Sequence, residues 1–254
     1  MNISIQQAAS ALQAYEQWHQ TIADNMSAAN VPGFKRSSFS LTANDTGVSN
    51  PIGSASTGDA TIQNYLLPKG ESHYDYSQGQ LKHTGLATDI AIGEEGFFEL
   101  ELPDGSTAYT RDGEFRINDL GELVTKQGYQ VMGTNGPVIF DDKTGLNFQI
   151  APDGTISENG IDSGQKLVAK KIEDTTKLEA SGEGNFLLKD QSIDIEEVES
   201  PNFQQRYIEQ SNVSAIQEMT RMIQVMRSHE ANHRVIQQHD QRIGKVINEL
   251  GQPI

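Results

Sequence analysis

Residues 211–250, SNVSAIQEMTRMIQVMRSHEANHRVIQQHDQRIGKVINEL, set the problem for the whole chain. Stepping along them by threes and fours meets Ile216, Met219, Met222, Met226, His229, His233, Ile236, Asp240, Ile243, Ile247 and Leu250, and eight of these eleven are apolar. That spacing keeps one stripe on one face of a helix. Asn212 or Ser214 can cap the start, and Ser214 with Gln217 has capping-box spacing; Gly251 and Pro253 stop the end. A helix of about 38 residues runs roughly 57 Å, longer than a small core can cover. Such a stripe asks for a partner helix along its length.

The same stretch holds His229-Glu230-Ala231-Asn232-His233, the H-E-x-x-H pattern of zinc proteases. It places two imidazoles at i and i+4 with Glu230 where a general base belongs. His239 even stands at the third-ligand spacing, but Ile236 occupies the position where the extended motif has the glycine that turns the chain back. On a continuing helix His239 then points about 120° away from His233, and Glu249 stays on the same rod. The alternative is therefore a zinc metalloprotease, and the preferred reading makes His229 and His233 polar positions in a helix seam, facing His19 or Asp240. No catalytic residue, metal ligand or cofactor is expected. P-loop, dinucleotide-binding, nucleophile-elbow and EF-hand patterns are absent from the sequence.

Composition narrows the field further. There is no cysteine among the 254 residues, which excludes disulfides, thiolate metal sites and thiol nucleophiles. The apolar fraction of 35% is low for a compact enzyme and suits an elongated protein with much surface or a partly disordered chain. No apolar run approaches a membrane span, and Met1-Asn2-Ile3-Ser4-Ile5-Gln6 lacks the basic and apolar regions of a cleaved secretory signal. The charge of −16 is concentrated in residues 42–201, where eleven basic residues face twenty-eight acidic ones. A surface of that sign makes nucleic acid an unsuitable partner.

At the other end, Ile5, Ala8, Leu12, Tyr15, His19, Ile22, Met26 and Ala29 alternate steps of three and four, a heptad seam. Val31-Pro32-Gly33 stops this helix, and Phe34 and Phe39 anchor an extended segment after it. Between residues 61 and 200 the pattern turns to β. Phe98, Leu100 and Leu102 alternate with acids, and turn residues recur every eight to twelve positions. The fold class expected is α+β: long N- and C-terminal helices pairing as a coiled coil, with a central antiparallel β-rich domain of barrel or sandwich type. The domains expected are 1–41, helix and turn; 42–60, a flexible loop; 61–200, the acidic β region; and 201–254, the C-terminal helix.

Three sets of residues resemble one family. Ile22-Ala23-Asp24-Asn25-Met26 leading to Asn30-Val31-Pro32-Gly33-Phe34-Lys35-Arg36 resembles the N-terminal motif of bacterial flagellar rod and hook proteins. Gly96-Phe97-Phe98, Tyr109-Thr110-Arg111-Asp112-Gly113-Glu114-Phe115, Gly121-Glu122-Leu123-Val124 and Gly128-Tyr129 resemble their central domain. Ile208-Glu209-Gln210-Ser211-Asn212-Val213, followed by Glu230-Ala231-Asn232, resembles their C-terminal motif. The length is similar to that of FlgF/FlgG-type rod proteins. Val31 departs from the usual threonine, and His229 and His233 from an aromatic and a small polar residue.

The resemblance implies an axial subunit of the basal-body rod, the drive shaft carrying torque from motor to hook. It implies terminal helices in an inner coiled-coil layer and the acidic domain outside. Implied partners are other copies, neighbouring rod and hook subunits, surrounding ring proteins and the flagellar export apparatus, which would deliver the chain to the periplasm without a cleaved signal. The assembly seam expected is Ile5, Leu12, Tyr15, Ile22, Met26, Ile216, Met219, Met226, Ile236, Ile243 and Ile247. The family-motif residues are Asn25, Asn30, Pro32, Gly33, Phe34, Ser211, Asn212, Glu230 and Asn232. A soluble binding module or chaperone is the remaining alternative.

Overall fold

The computed structural model describes residues 3–45, 50–51, 62–63, 66–141, 147–182, 184–189 and 195–250, with side chains described except at 3–6, 43–51, 62–68 and 246–250. Two helices and a series of short strands make up the described chain. They fall into two compact units: Met1–Met26, Ser37–His73 and Ser214–Ile254 form the first, and Ser27–Arg36 with Tyr74–Val213 the second.

The first unit holds both helices and a β-ribbon. Helix α1 spans Ile3–Ser27, a run free of Pro and Gly, and α2 spans Ala215–Leu250. The ribbon pairs Arg36–Asp45 with Leu66–Asp75. Asn25, 1% exposed, joins helix to ribbon by imitating a backbone partner: its Nδ2 donates to the Ser37 carbonyl at 2.7 Å and its Oδ1 accepts from the Ser37 amide at 2.9 Å. Trp18 stacks on Phe39 with ring centroids 6.0 Å apart. Gly70 makes room for that ring, since a Cβ there would lie 2.0 Å from Phe39 Cζ.

The second unit is built on antiparallel hairpins. Phe97–Glu101 pairs with Thr107–Thr110 in the register Phe98↔Thr110 and Leu100↔Ala108, turned by Asp104-Gly105. Alternation sends Phe98 and Leu100 inward, both 0% exposed, onto Phe115, Leu123, Val131, Phe140, Phe148 and Phe203. At about 1.5–3 kcal/mol for each large apolar side chain removed from water, this cluster supplies most of the unit's stability. The last strands approach in two steps: Phe203–Gln205 pairs with Ile90–Ile92, then Tyr207–Glu209 with Leu81–His83. Arg206 makes the shift between them in the left-handed region, at φ 70°, with its amide donating to the Asp89 carbonyl at 2.7 Å. The shift carries Glu209 into the interior.

This architecture corrects the expected fold class in two respects. The helices are adjacent but do not form a coiled coil on the predicted seam. Ala8 lies by Asn232 and Tyr15 by Met226, so they run antiparallel, yet Ile216, Met219, Met226 and Ile243 are 79, 54, 51 and 38% exposed. Among the described side chains of α2 the buried ones are Glu218 and Val225, one position before Met219 and Met226. One residue is 100° on a helix, so the packed line is rotated off the apolar stripe. Nor is the β region a closed barrel or a two-sheet sandwich. Its ten-stranded sheet is an open, branched path, accompanied by a three-stranded sheet and separate strand pairs. Spacing of apolar residues reveals a helix; it does not reveal whether the neighbour that covers them is in the same chain. In the region expected as a loop at 42–60, residues 42–45 end the strand Arg36–Asp45 and Asn50–Pro51 pairs with Ile62–Gln63; the rest lies outside the described residues.

Candidate functional site

Two arrangements stand out, one in each unit. In the first, α1 and α2 enclose a groove of 510 Å³ lined by Tyr15, Glu16, His19, Gln20, Val225, Met226, His229 and Glu230. The Asn232 side chain crosses from α2 to α1 and donates to the Ala8 carbonyl at 3.1 Å. Besides Met226, which also lines the groove, α2 leaves further large apolar side chains in solvent: Ile216, Met219 and Ile223, with Val235 and Ile243 further along. Of the other predicted seam residues, Ile22 is buried, while Leu12, Tyr15, Met26 and Ile236 are half-buried. The side chains of Ile5 and Ile247 lie outside the described residues. His229 lines the groove, whereas His233 is exposed, and among the described residues no three His, Asp or Glu side chains converge as metal ligands would.

The second arrangement is an ion triplet inside the β unit. Lys35 Nζ donates to Glu209 Oε1 at 2.6 Å and to the Ser77 carbonyl at 2.9 Å. Arg111 Nη1 donates to Glu209 Oε2 at 3.1 Å, and the Gly79 amide donates to Oε1 at 2.8 Å. Lys35 and Glu209 are each 1% exposed and Arg111 4%. Burial pulls both cations below their ordinary pKa ranges, and the Glu209 charge pulls them back. The Arg111 guanidinium also stands 5.4 Å from the centre of the Phe97 ring. An interior that dry tolerates the triplet only because the carboxylate engages every member.

Around it the family-motif residues hold the backbone. Gly33, at φ +68°, sits so near the Arg111–Asp112 peptide that a Cβ would lie 2.2 Å from it, and its amide donates to the Glu209 carbonyl at 2.8 Å. Asn212 Oδ1 accepts from the Arg36 amide at 2.7 Å, while Nδ2 donates to the Asp75 carbonyl at 2.8 Å. Asn212 is thus a brace between segments, not a helix cap. Ser211 Oγ accepts from the Val213 amide at 3.2 Å, and Phe34 closes a turn onto Val31. Asn30 and Pro32 line a recess of 480 Å³ with Lys82, Glu114, Lys126 and Ser211. Glu230 is exposed. Next to Arg111, burial raises the Asp112 carboxyl to about 7; Lys126 opposes the rise and Asp89 adds to it.

Lys35, Arg111 and Glu209 were not singled out by chemistry in the sequence. Separations of 174 and 98 residues hide such a site, and the one available signal was that all three lie in the motif segments.

The buried brace joins residues of all three motif segments, the other unit leaves an apolar helix face in solvent, and comparison with known proteins gives the family. Residues 91–158 match the flagellar hook protein FlgE/F/G D1 domain, and residues 204–250 the flagellar basal body rod FlgEFG protein C-terminal region. The chain is 33% identical over 242 residues to the flagellar basal-body rod protein FlgG of Buchnera aphidicola subsp. Baizongia pistaciae, covering 89% of this chain and 91% of that protein. It is 32% identical over 266 residues to FlgG of Borreliella burgdorferi, 96% of each, and 28% identical over 261 residues to the basal-body rod protein FlgF of Rhizobium meliloti, 99% of each. The chain belongs to the flagellar hook and basal-body rod protein family, as a member of the FlgF/FlgG type.

Proposed function

We propose that the chain is a structural, non-catalytic subunit of the flagellar basal-body rod, part of the shaft between motor and hook. The observation that carries this reading is the line Ile216, Met219, Ile223 and Met226, each more than half exposed on one helix. A contiguous apolar line left in water marks a contact surface. Its partners in this reading are other copies and neighbouring rod or hook subunits. A heterologous contact that does not close on itself builds a filament instead of a ring, which is what a shaft needs. The assembly contact includes Met219, Met226, Ile243 and the groove residue Tyr15.

The β unit, residues 27–36 and 74–213, carries thirteen basic against twenty-six acidic residues. That face is the surface available to surrounding ring proteins. The chain reaches the periplasmic side of the basal body through the flagellar export apparatus. His229 and His233 serve as polar helix positions in this reading and take no part in catalysis.

The test is a strain lacking this chain, complemented with wild type or with Met219→Glu/Met226→Glu. Expected are complete basal bodies and swimming with wild type, and truncated rods without motility for the double variant. Intact rods in the deletion strain overturn the assignment. Intact rods with the double variant overturn the assembly contact alone.

A further inference from the structure

The ion triplet joins segments made at very different times. Lys35 precedes Glu209 by 174 residues and Arg111 precedes it by 98. A chain that emerges N-terminus first therefore holds two cations destined for one dry site well before their carboxylate exists. Brought together without it, Lys35 and Arg111 would be two buried like charges, repelling each other with no water to screen them. Lys35 Nζ also donates to the Ser77 carbonyl, but three other holds of the turn at residues 31–36 converge on one place. The Gly33 amide bonds the Glu209 carbonyl, the Arg36 amide bonds Asn212 Oδ1, and Lys35 Nζ bonds Glu209 Oε1. All three end within residues 209–212. The Phe97–Glu101/Thr107–Thr110 hairpin, by contrast, pairs locally and does not involve Glu209.

We propose that Glu209 is a completion latch: the N-terminal turn at 31–36 docks onto the β unit only once the strand Tyr207–Glu209 has paired and delivered its carboxylate between Lys35 and Arg111. Docking of the N-terminal segment is thereby conditional on the C-terminal segment having arrived. The device needs a carboxylate facing two cations, since a single cation would bury at smaller cost and an apolar trio would add no charge penalty to premature docking. It is independent of the rod reading and holds for the isolated chain.

Because the protein has no cysteine, single introduced thiols report each segment cleanly. Three full-length chains, Val31→Cys, Ala108→Cys and Ile208→Cys, are refolded from urea and pulsed with a thiol reagent. The latch predicts that the thiol at position 108 is protected first, and that the thiol at position 31 becomes protected together with the one at position 208. Chains with the native triplet that protect position 31 before position 208 overturn the proposal. A native-state measurement stands beside this one. With Val31→Cys in place, Glu209→Gln should raise the labelling rate by more than about tenfold, because two cations lose their counter-charge. Lys35→Met, which leaves Arg111 paired with Glu209, should raise it less than about threefold. Equal acceleration by the two substitutions would mean that packing, not charge, holds the turn, and the latch would be wrong.

Discussion

The two units differ in what they keep inside. The β unit buries a cluster of sixteen apolar residues, with Phe98, Leu100, Leu123, Val131 and Leu167 at 0% exposure. Among its described residues the helical unit buries four apolar side chains, Ala8, Ala14, Ile22 and Val225, two of them alanines. It leaves six large apolar residues of α2 in solvent. At about 1.5–3 kcal/mol per large side chain, the first interior can sustain a fold and the second is marginal. The contrast teaches that the apolar content of a chain does not measure its own core: much of it here is held for another surface.

The sharpest way to break that contrast is to damage the larger core. Phe98→Ala removes a ring that meets Phe115 edge-on at 5.0 Å and stacks over Phe203 at 6.0 Å. A loss of about 3–5 kcal/mol is expected. In urea unfolding followed by β-sheet circular dichroism, the main transition should move to much lower denaturant. The helical signal, which reports the other unit, should keep its own midpoint. Both signals shifting together would show the units to be energetically one, and the comparison would collapse.

How much of this could be read in advance follows the same division. Local patterns were legible: the helix of residues 215–250 from its three-four spacing, and the hairpins of the β unit from alternation around Asp-Gly turns. Family membership was legible because motif order survives at both ends and in the middle. What stayed hidden was pairing at a distance. The ribbon Arg36–Asp45 with Leu66–Asp75 is sparse in apolar residues, so its strand character comes from its partner and from Asn25. Hidden too was the line of α2 that packs within the chain, Glu218, Val225 and Asn232, a mixed line beside the apolar one. The triplet needed Glu209 to be brought beside Lys35, which no local rule foretells.

A second, smaller test asks how self-contained the β unit is when its charges are perturbed. Asp112, half-buried near Asp89 and Lys126, titrates at about 7 in the fold against 3.8 for an exposed carboxyl. Its folded pKa is raised, so the folded state holds the proton more tightly than the unfolded state does. Stability from this group is complete below about 3.8 and falls as pH rises toward 7, after which it is level. Asp112→Asn keeps the side-chain oxygen that accepts from the Glu114 amide at 2.9 Å. The substitution should stabilise by about 1–2 kcal/mol at pH 8 and shrink toward nothing near pH 4, allowing for partial solvent screening. Urea midpoints at the two pH values check this; a larger benefit at pH 4 would reverse the sign and refute it.

The smallest expected effect bears most directly on the helical unit. Met219 and Met226 are 54 and 51% exposed, so replacing either with Gln removes little that the chain itself buries. The stability of the dilute chain should change by no more than about 0.5 kcal/mol, as for surface positions generally. Glutamine also matches methionine in helix propensity, which removes the main competing cause of a change. If thermal unfolding of Met219→Gln/Met226→Gln instead falls by several degrees, these side chains are covered within the chain, and the helical unit has a larger interior than its four buried apolar residues suggest. An unchanged midpoint leaves the apolar line with no duty inside the monomer, and a surface that costs nothing to remove from the monomer is retained for what docks on it.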